Sequence, residues 1–278
     1  MSLAEQADVN TNGSGFDSDK QTGFFQDLIK SFGLMRFWLT YSWEDIRTTY
    51  RHTAFGVLWI TVSFFALLVV KFLIFRPMNS ADSEYFVQYL AIGIVVWYYI
   101  ANVLGSSNTF VPFENWLKND TIPAAGFAFI VLFRCLFNFS FNALSVVLVF
   151  LYIGIDWHVE VFSLIPAALL TLFTSYSLLI FLGVISLRYR DIAQLVTTIT
   201  RFGFFLSPIF WTPAQMGKIF DYLYWNPVAH FIWIFRDPIL YGRIPWESWL
   251  YCSIVAITSS ILAVIFYTLF KRRLIYWY

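Results

Sequence analysis

Apolar and polar residues fall in long blocks along this chain rather than alternating within one amphipathic pattern. Residues 1 to about 23 are Asn, Thr, Gly, Ser and Asp with almost no apolar content, so they bury too little surface to order themselves and read as a disordered tail. Six apolar runs follow, at roughly 54–75, 87–104, 127–153, 161–187, 192–211 and 250–270. At 1.5 Å per residue each is long enough to cross a hydrocarbon core of about 30 Å. The expected fold is an all-α membrane protein with six transmembrane helices over a domain of 54–278, preceded by an interface helix region at 24–53. Within that region Leu39, Trp43, Ile46 and Tyr50 share one helical arc, and Arg36, Glu44, Arg47 and Arg51 share its neighbour. Such a helix lies at a membrane surface with its basic edge near headgroup phosphates, or serves as a plain topology anchor.

Two connections are longer than a linker needs. Between the second and third runs, Gly105 to Gly126 carries Glu114, Trp116, Lys118 and Asp120 before Pro123, which suits a short helix. Between the fifth and sixth runs, Thr212 to Trp249 remains rich in Tyr, Trp and Phe. Left in water that segment is a large apolar patch, so a re-entrant helical hairpin is expected, with two amphipathic surface helices as the alternative.

Composition sharpens the class. Side chains are 59% hydrophobic and 13% charged, against about a quarter charged in soluble domains. The net charge is +1 and there are two cysteines, which excludes a basic nucleic-acid binder and a disulfide-stapled secreted domain. An even number of spans puts both termini on one side. On that side lie Lys20, Lys30, Arg36, Arg47, Arg51, Lys118, Arg188, Arg190, Lys271, Arg272 and Arg273, whereas Arg76, Lys218, Arg236 and Arg243 fall opposite. The basic excess marks the cytoplasmic face, so both termini are expected inside.

Charged residues within spans are expensive and point to function. Arg134, Asn138, Asn142 and Ser145 form one polar stripe, which suits interhelical hydrogen bonding. Gln194, Thr197, Arg201 and Pro208 form another, flanked by Phe204 and Phe205, and suggest a pore lining. No acidic residue falls within a span, so no buried Asp or Glu is expected to bind a coupling ion, and ion-driven transport is disfavoured. The Gly217-Lys218 pair lacks the rest of a phosphate-binding loop, so energy must come from another chain. His52, His158 and His230 are scattered and suggest no metal site. Asp191 is placed to cap the fifth span, with Gln194 as its capping-box partner. The 32 Phe, 16 Tyr and 12 Trp offer flat apolar surface of the kind that sugar faces stack on, and an Arg such as Arg201 suits a lipid pyrophosphate.

The run Arg47-Thr-Thr-Tyr50-Arg51, then Gly56-Val-Leu-Trp59, Arg188-Tyr-Arg-Asp191, Ser207-Pro-Ile-Phe-Trp211, Asn226-Pro227, Arg236 and Gly242, resembles the transmembrane subunits of polysaccharide and polyol-phosphate ABC exporters. The likeness covers roughly residues 36–278. It implies a type-2 ABC half-transporter of the cytoplasmic (inner) membrane that dimerises and binds two ABC ATPase subunits. It implies no cofactor in this chain, with ATP and Mg in the partner ATPase, and a lipid-linked polysaccharide as substrate. Carried onto this sequence, the resemblance places Trp59, Tyr98, Asn102, Arg201, Phe204 and Phe205 along the substrate path. It places Tyr222, Trp225 and Trp233 at an outer gate, and Arg47, Arg51, Glu114, Trp116 and Lys118 in ATPase coupling. Alternatives are an ATPase-independent glycan flippase and a membrane glycosyl- or acyltransferase.

Overall fold

A computed structural model describes residues 23–76, 83–118, 122–154, 159–210 and 224–276, and every regular element among them is helical. In chain order the α-helices are α1 (Phe24–Gly33), α2 (Met35–Thr49), α3 (Trp59–Phe75), α4 (Ser83–Gly105), α5 (Glu114–Lys118), α6 (Ala125–Ile153), α7 (Leu164–Arg188), α8 (Arg190–Phe205), α9 (Pro227–Leu240) and α10 (Trp246–Phe270). Four of them, α4, α6, α7 and α10, and α3 together with the 3-10 turn Gly56–Leu58 that leads into it, are long and apolar enough to cross a membrane. They coincide with five of the six apolar runs.

The sixth run, 192–211, differs from its expectation. Helix α8 has 16 residues and ends at Phe205, which at 1.5 Å per residue is about 24 Å, short of a full crossing. Pro208 supplies the reason, since it has no amide to donate and biases Ser207 away from helical geometry. The chain turns over Ser207–Phe210, all four of them buried.

Helices α1 and α2 are bound to the bundle through α6. Trp38 is fully buried, and its indole lies where a side chain on Gly126 would stand, 2.1 Å from the position of a Cβ there. Its Nε1 donates to the Ser31 carbonyl at 2.8 Å. The Ser42 hydroxyl sits 2.9 Å from the Ile130 carbonyl oxygen, and Asp45 pairs with Arg134 at 3.3 Å. The buried stripe of α2 is therefore Trp38, Ser42 and Ile46, while Leu39 is exposed. Of the expected arc of Leu39, Trp43, Ile46 and Tyr50, only Ile46 belongs to this seam. A helix that packs on another helix selects shape and hydrogen bonding, so a small Ser can replace a large apolar residue at the seam.

The first described helix and the end of α10 meet at one end of the bundle. Asp27 of α1 is 3% exposed, and its Oδ2 accepts from the Tyr267 hydroxyl and from Lys271 Nζ, each at 2.6 Å. The same Tyr267 oxygen accepts the Ala125 amide at the start of α6 at 3.1 Å. Asp237 of α9 is likewise buried and pairs with Arg243 at 2.8 Å. The expectation of no buried acid is thus wrong for two residues, one in the interface region and one in the long connection, each matched with a cation.

Candidate functional site

Helix α8 has two unlike faces. Ala193 and Phe204 turn toward the bundle, where Phe204 meets Trp97 with ring centroids 5.7 Å apart. Gly203 permits that approach, since a Cβ there would come within 3.0 Å of the indole. On the exposed side Arg190, Asp191, Gln194, Thr198, Arg201 and Phe205 form one strip, and Leu195, Ile199 and Phe202 form the strip beside it. Arg201 has no ion-pair partner among the described residues. A charged strip next to an apolar one, on a helix flanked by membrane-length helices, needs water or another protein surface beside it.

Asp191 does not cap α8. The N-cap is Tyr189, no side chain bonds the free amides, and Asp191 lies exposed in the first turn. Its favourable contribution is limited to the helix dipole.

The structure separates the expected path residues. Phe204 and Phe210 hold Lys71 Nζ at 4.4 and 5.1 Å from their centroids, near the end of α3. Trp59 lies at the opposite end of α3, against Phe55 at 5.2 Å. Tyr98 packs on Phe64 at 5.4 Å, and Asn102 is half-buried. Phe205 is exposed and touches Phe204. The six therefore do not line one pocket.

At the end where α1 meets α10, the two segments expected to couple to a partner touch each other. Trp116 of α5 packs on Tyr41 and Phe37 of α2 at 5.8 and 6.0 Å, and Tyr41 on Phe113 at 6.4 Å. Phe113 stacks at 4.7 Å on Phe127, which opens α6. Helix α5 begins at Glu114, and the Lys118 side chain lies outside the described residues. Arg47 and Arg51 sit at the far end of α2, where they line a polar cavity of about 530 Å³ with Glu44 and His52. Arg47 pairs with Glu44 at 3.4 Å.

The end of the bundle opposite α1 carries an aromatic cluster centred on His230. The imidazole stacks on Tyr251 at 4.2 Å and meets Trp233 and Tyr224 edge-on at 5.0 and 5.1 Å. Both ring nitrogens are satisfied, one by the Tyr224 carbonyl at 2.8 Å and one by Ser248 at 3.0 Å. The Tyr224 hydroxyl donates to Glu247 at 2.5 Å, and that carboxylate pushes the phenol up to about 12. Trp225 is 77% exposed, and Tyr222 lies outside the described residues.

Sequence reasoning missed Arg236, which it counted among loop cations. Its guanidinium is 1% exposed, 3.7 Å from the Tyr89 ring centroid, and Nη1 donates to the Pro208 carbonyl at 2.6 Å. Gly93 leaves room for Nη2, which lies 2.1 Å from where a Cβ would be. The available signal was an arginine in the middle of an apolar 14-residue segment. Arg236 ties α9 to α4 and to the turn after α8, and Asn226 Nδ2, donating to the Leu206 carbonyl at 3.0 Å, closes the same junction.

A family model for the ABC-2 type transporter matches residues 36–240, well over half of the chain. The chain belongs to the ABC-2 type transporter family. No curated protein matches it closely enough to add a relative. The matched region includes α2 through α9, and so takes in α8, the α2–α5 contact and the Arg236 junction. An ABC-2 permease is the membrane component of an ABC exporter and works with an ABC ATPase.

Proposed function

We propose that this permease is one half of a homodimer that, with two ABC ATPase subunits, exports a lipid-linked O-antigen or capsular polysaccharide across the cytoplasmic membrane. The observation that carries the reading is the exposed strip of α8, in which Phe205 is 67% exposed and Arg201 has no ion-pair partner among the described residues. A second copy, or a water-filled path between two copies, gives such a strip the surroundings it requires. Arg201 is assigned to an anionic lipid phosphate and the aromatic rings to sugar faces. Trp59, Tyr98, Asn102 and Phe204 extend the path along α3 and α4.

In this topology α8 and the buried turn after it form a sixth span, both termini are cytoplasmic, and 212–249 returns toward the membrane as a hairpin. The Asn226–Leu206 bond supports the hairpin, because it ties the chain's return to its point of departure. The burial of α9 supports it as well. Trp225, Trp233 and Tyr222 are assigned to the outer gate. The face around Trp116, with Glu114 and Lys118, receives the ATPase, as do Arg47 and Arg51 at the other end of α2. ATP and Mg²⁺ are bound by that partner.

Cysteine accessibility tests the arrangement. Trp225→Cys should react with an impermeant maleimide added outside intact cells and Phe25→Cys only after permeabilisation, and purified chain should form a complex with its ABC ATPase that Trp116→Ala weakens. Labelling of Phe25→Cys from outside refutes the orientation, and unchanged affinity for Trp116→Ala refutes the coupling face.

A further inference from the structure

The geometry points to a binding site for one anionic phospholipid between the ends of α7 and α10, at the end of the bundle where α1 meets α10. The two helices pack along each other, and where they part a cavity of about 260 Å³ remains. Its walls include Ile185, Phe266 and Phe270, and its mouth carries Arg188, Tyr189 and Arg273. The Phe181–Phe266 contact at 5.2 Å closes the apolar side, and the Arg188 guanidinium lies 5.6 Å from the Tyr189 ring centroid. Both arginines are exposed, and among the described residues no carboxylate lines the cavity.

That combination fits an amphiphile with a negative head. Helices α7 and α10 are membrane-length and apolar up to these residues, so the cavity lies where hydrocarbon gives way to headgroups. The volume is below the roughly 300 Å³ of an ordinary small-molecule pocket, enough for a head and the first methylenes. Exposed Ile261, Ile265 and Leu269 continue from it along α10 as a track for the acyl chain. Two guanidinium groups present the forked donors that suit a phosphate, and a basic pocket between membrane helices selects anionic over zwitterionic lipid. Neither the polysaccharide substrate nor the direction of transport enters the inference.

Native mass spectrometry of the full chain in detergent, with equal concentrations of phosphatidylglycerol and phosphatidylcholine of matched chains, tests it. One phosphatidylglycerol should be retained in preference. Arg188→Gln with Arg273→Gln should weaken retention by about thirtyfold, from about 1 kcal/mol for each basic residue near an anionic head. Ile185→Trp, which fills the cavity and keeps both charges, should weaken it too. If the double variant does not fold, Arg273→Gln alone and the wild-type lipid preference still decide. Equal retention of the two lipids, full retention by the variants, or displacement by inorganic phosphate at the same concentration overturns the site. Preferential displacement by a polyprenyl phosphate overturns the phospholipid assignment and leaves the proposed export function untouched.

Discussion

Asp27→Asn should loosen the contact between α1 and the end of α10, and its size follows from the local geometry. The Asp27 carboxylate holds Lys271 and Tyr267 at 2.6 Å each, with 4% of the Asp27 side chain and 27% of the Lys271 side chain exposed. Removing one partner of a fully buried pair costs about 3–5 kcal/mol. Lys271 can rehydrate in part and asparagine still accepts from Tyr267, which reduces the cost to about 2 kcal/mol. At about 2–4 °C per kcal/mol for a chain of this size, Tm should fall by about 4–8 °C. Tryptophan fluorescence on the full chain reads it, because Trp38 donates to the α1 carbonyl of Ser31 and senses α1 leaving. A double-mutant cycle with Lys271→Met should give coupling of at least about 1 kcal/mol that persists in high salt. The exposed Arg134–Asp45 pair, with side chains 37% and 42% exposed, should couple by less than about 1 kcal/mol and fade with salt. A Tm change near zero for Asp27→Asn, or equal salt sensitivity of the two pairs, refutes the reasoning.

Gly126→Ala should destabilise the protein by about 1–3 kcal/mol, seen as a lower Tm, because the new methyl occupies the Trp38 ring position and that indole is fixed by packing and by its hydrogen bond. Arg201→Ala should reduce export in cells while leaving dimer assembly on size-exclusion chromatography unchanged, since the side chain has no ion pair among the described residues to lose; normal export removes α8 from the path. Asp191→Ala should cost no more than about 0.3–1 kcal/mol, a helix-dipole effect measurable as a small Tm change, because it bonds no free amide of α8.

Hydropathy located the membrane-length helices because burial in lipid demands long unbroken apolar runs, and α4, α6, α7 and α10 begin and end within a few residues of their expectations. It overran at α8, where Ser207 and Pro208 sit inside an apolar stretch and the local backbone, not the side-chain average, ends the helix. The N-terminal helices were harder to place. Asp27 looks like a surface position of a short polar segment, yet it is buried, because its partner Tyr267 in α10 lies 240 residues away and leaves no local trace. Arg236 was hidden for the same reason, as only the fold brings Tyr89, Gly93 and Pro208 around it. For the candidate site, the sequence grouped Gln194, Thr197, Arg201 and Pro208 with Phe204 and Phe205, of which only Gln194, Arg201 and Phe205 share the exposed strip of α8, whereas the contact between Tyr41 and Trp116 depends on the fold bringing α2 and α5 onto a common support, Phe127.

Transport in proteoliposomes tests the central claim most directly. The chain reconstituted with its ABC ATPase should move a lipid-linked polysaccharide only when ATP and Mg²⁺ are supplied on the ATPase side, with no ion gradient imposed. Movement driven by an ion gradient without the ATPase, or none with the complete ATP-supplied complex, contradicts the account.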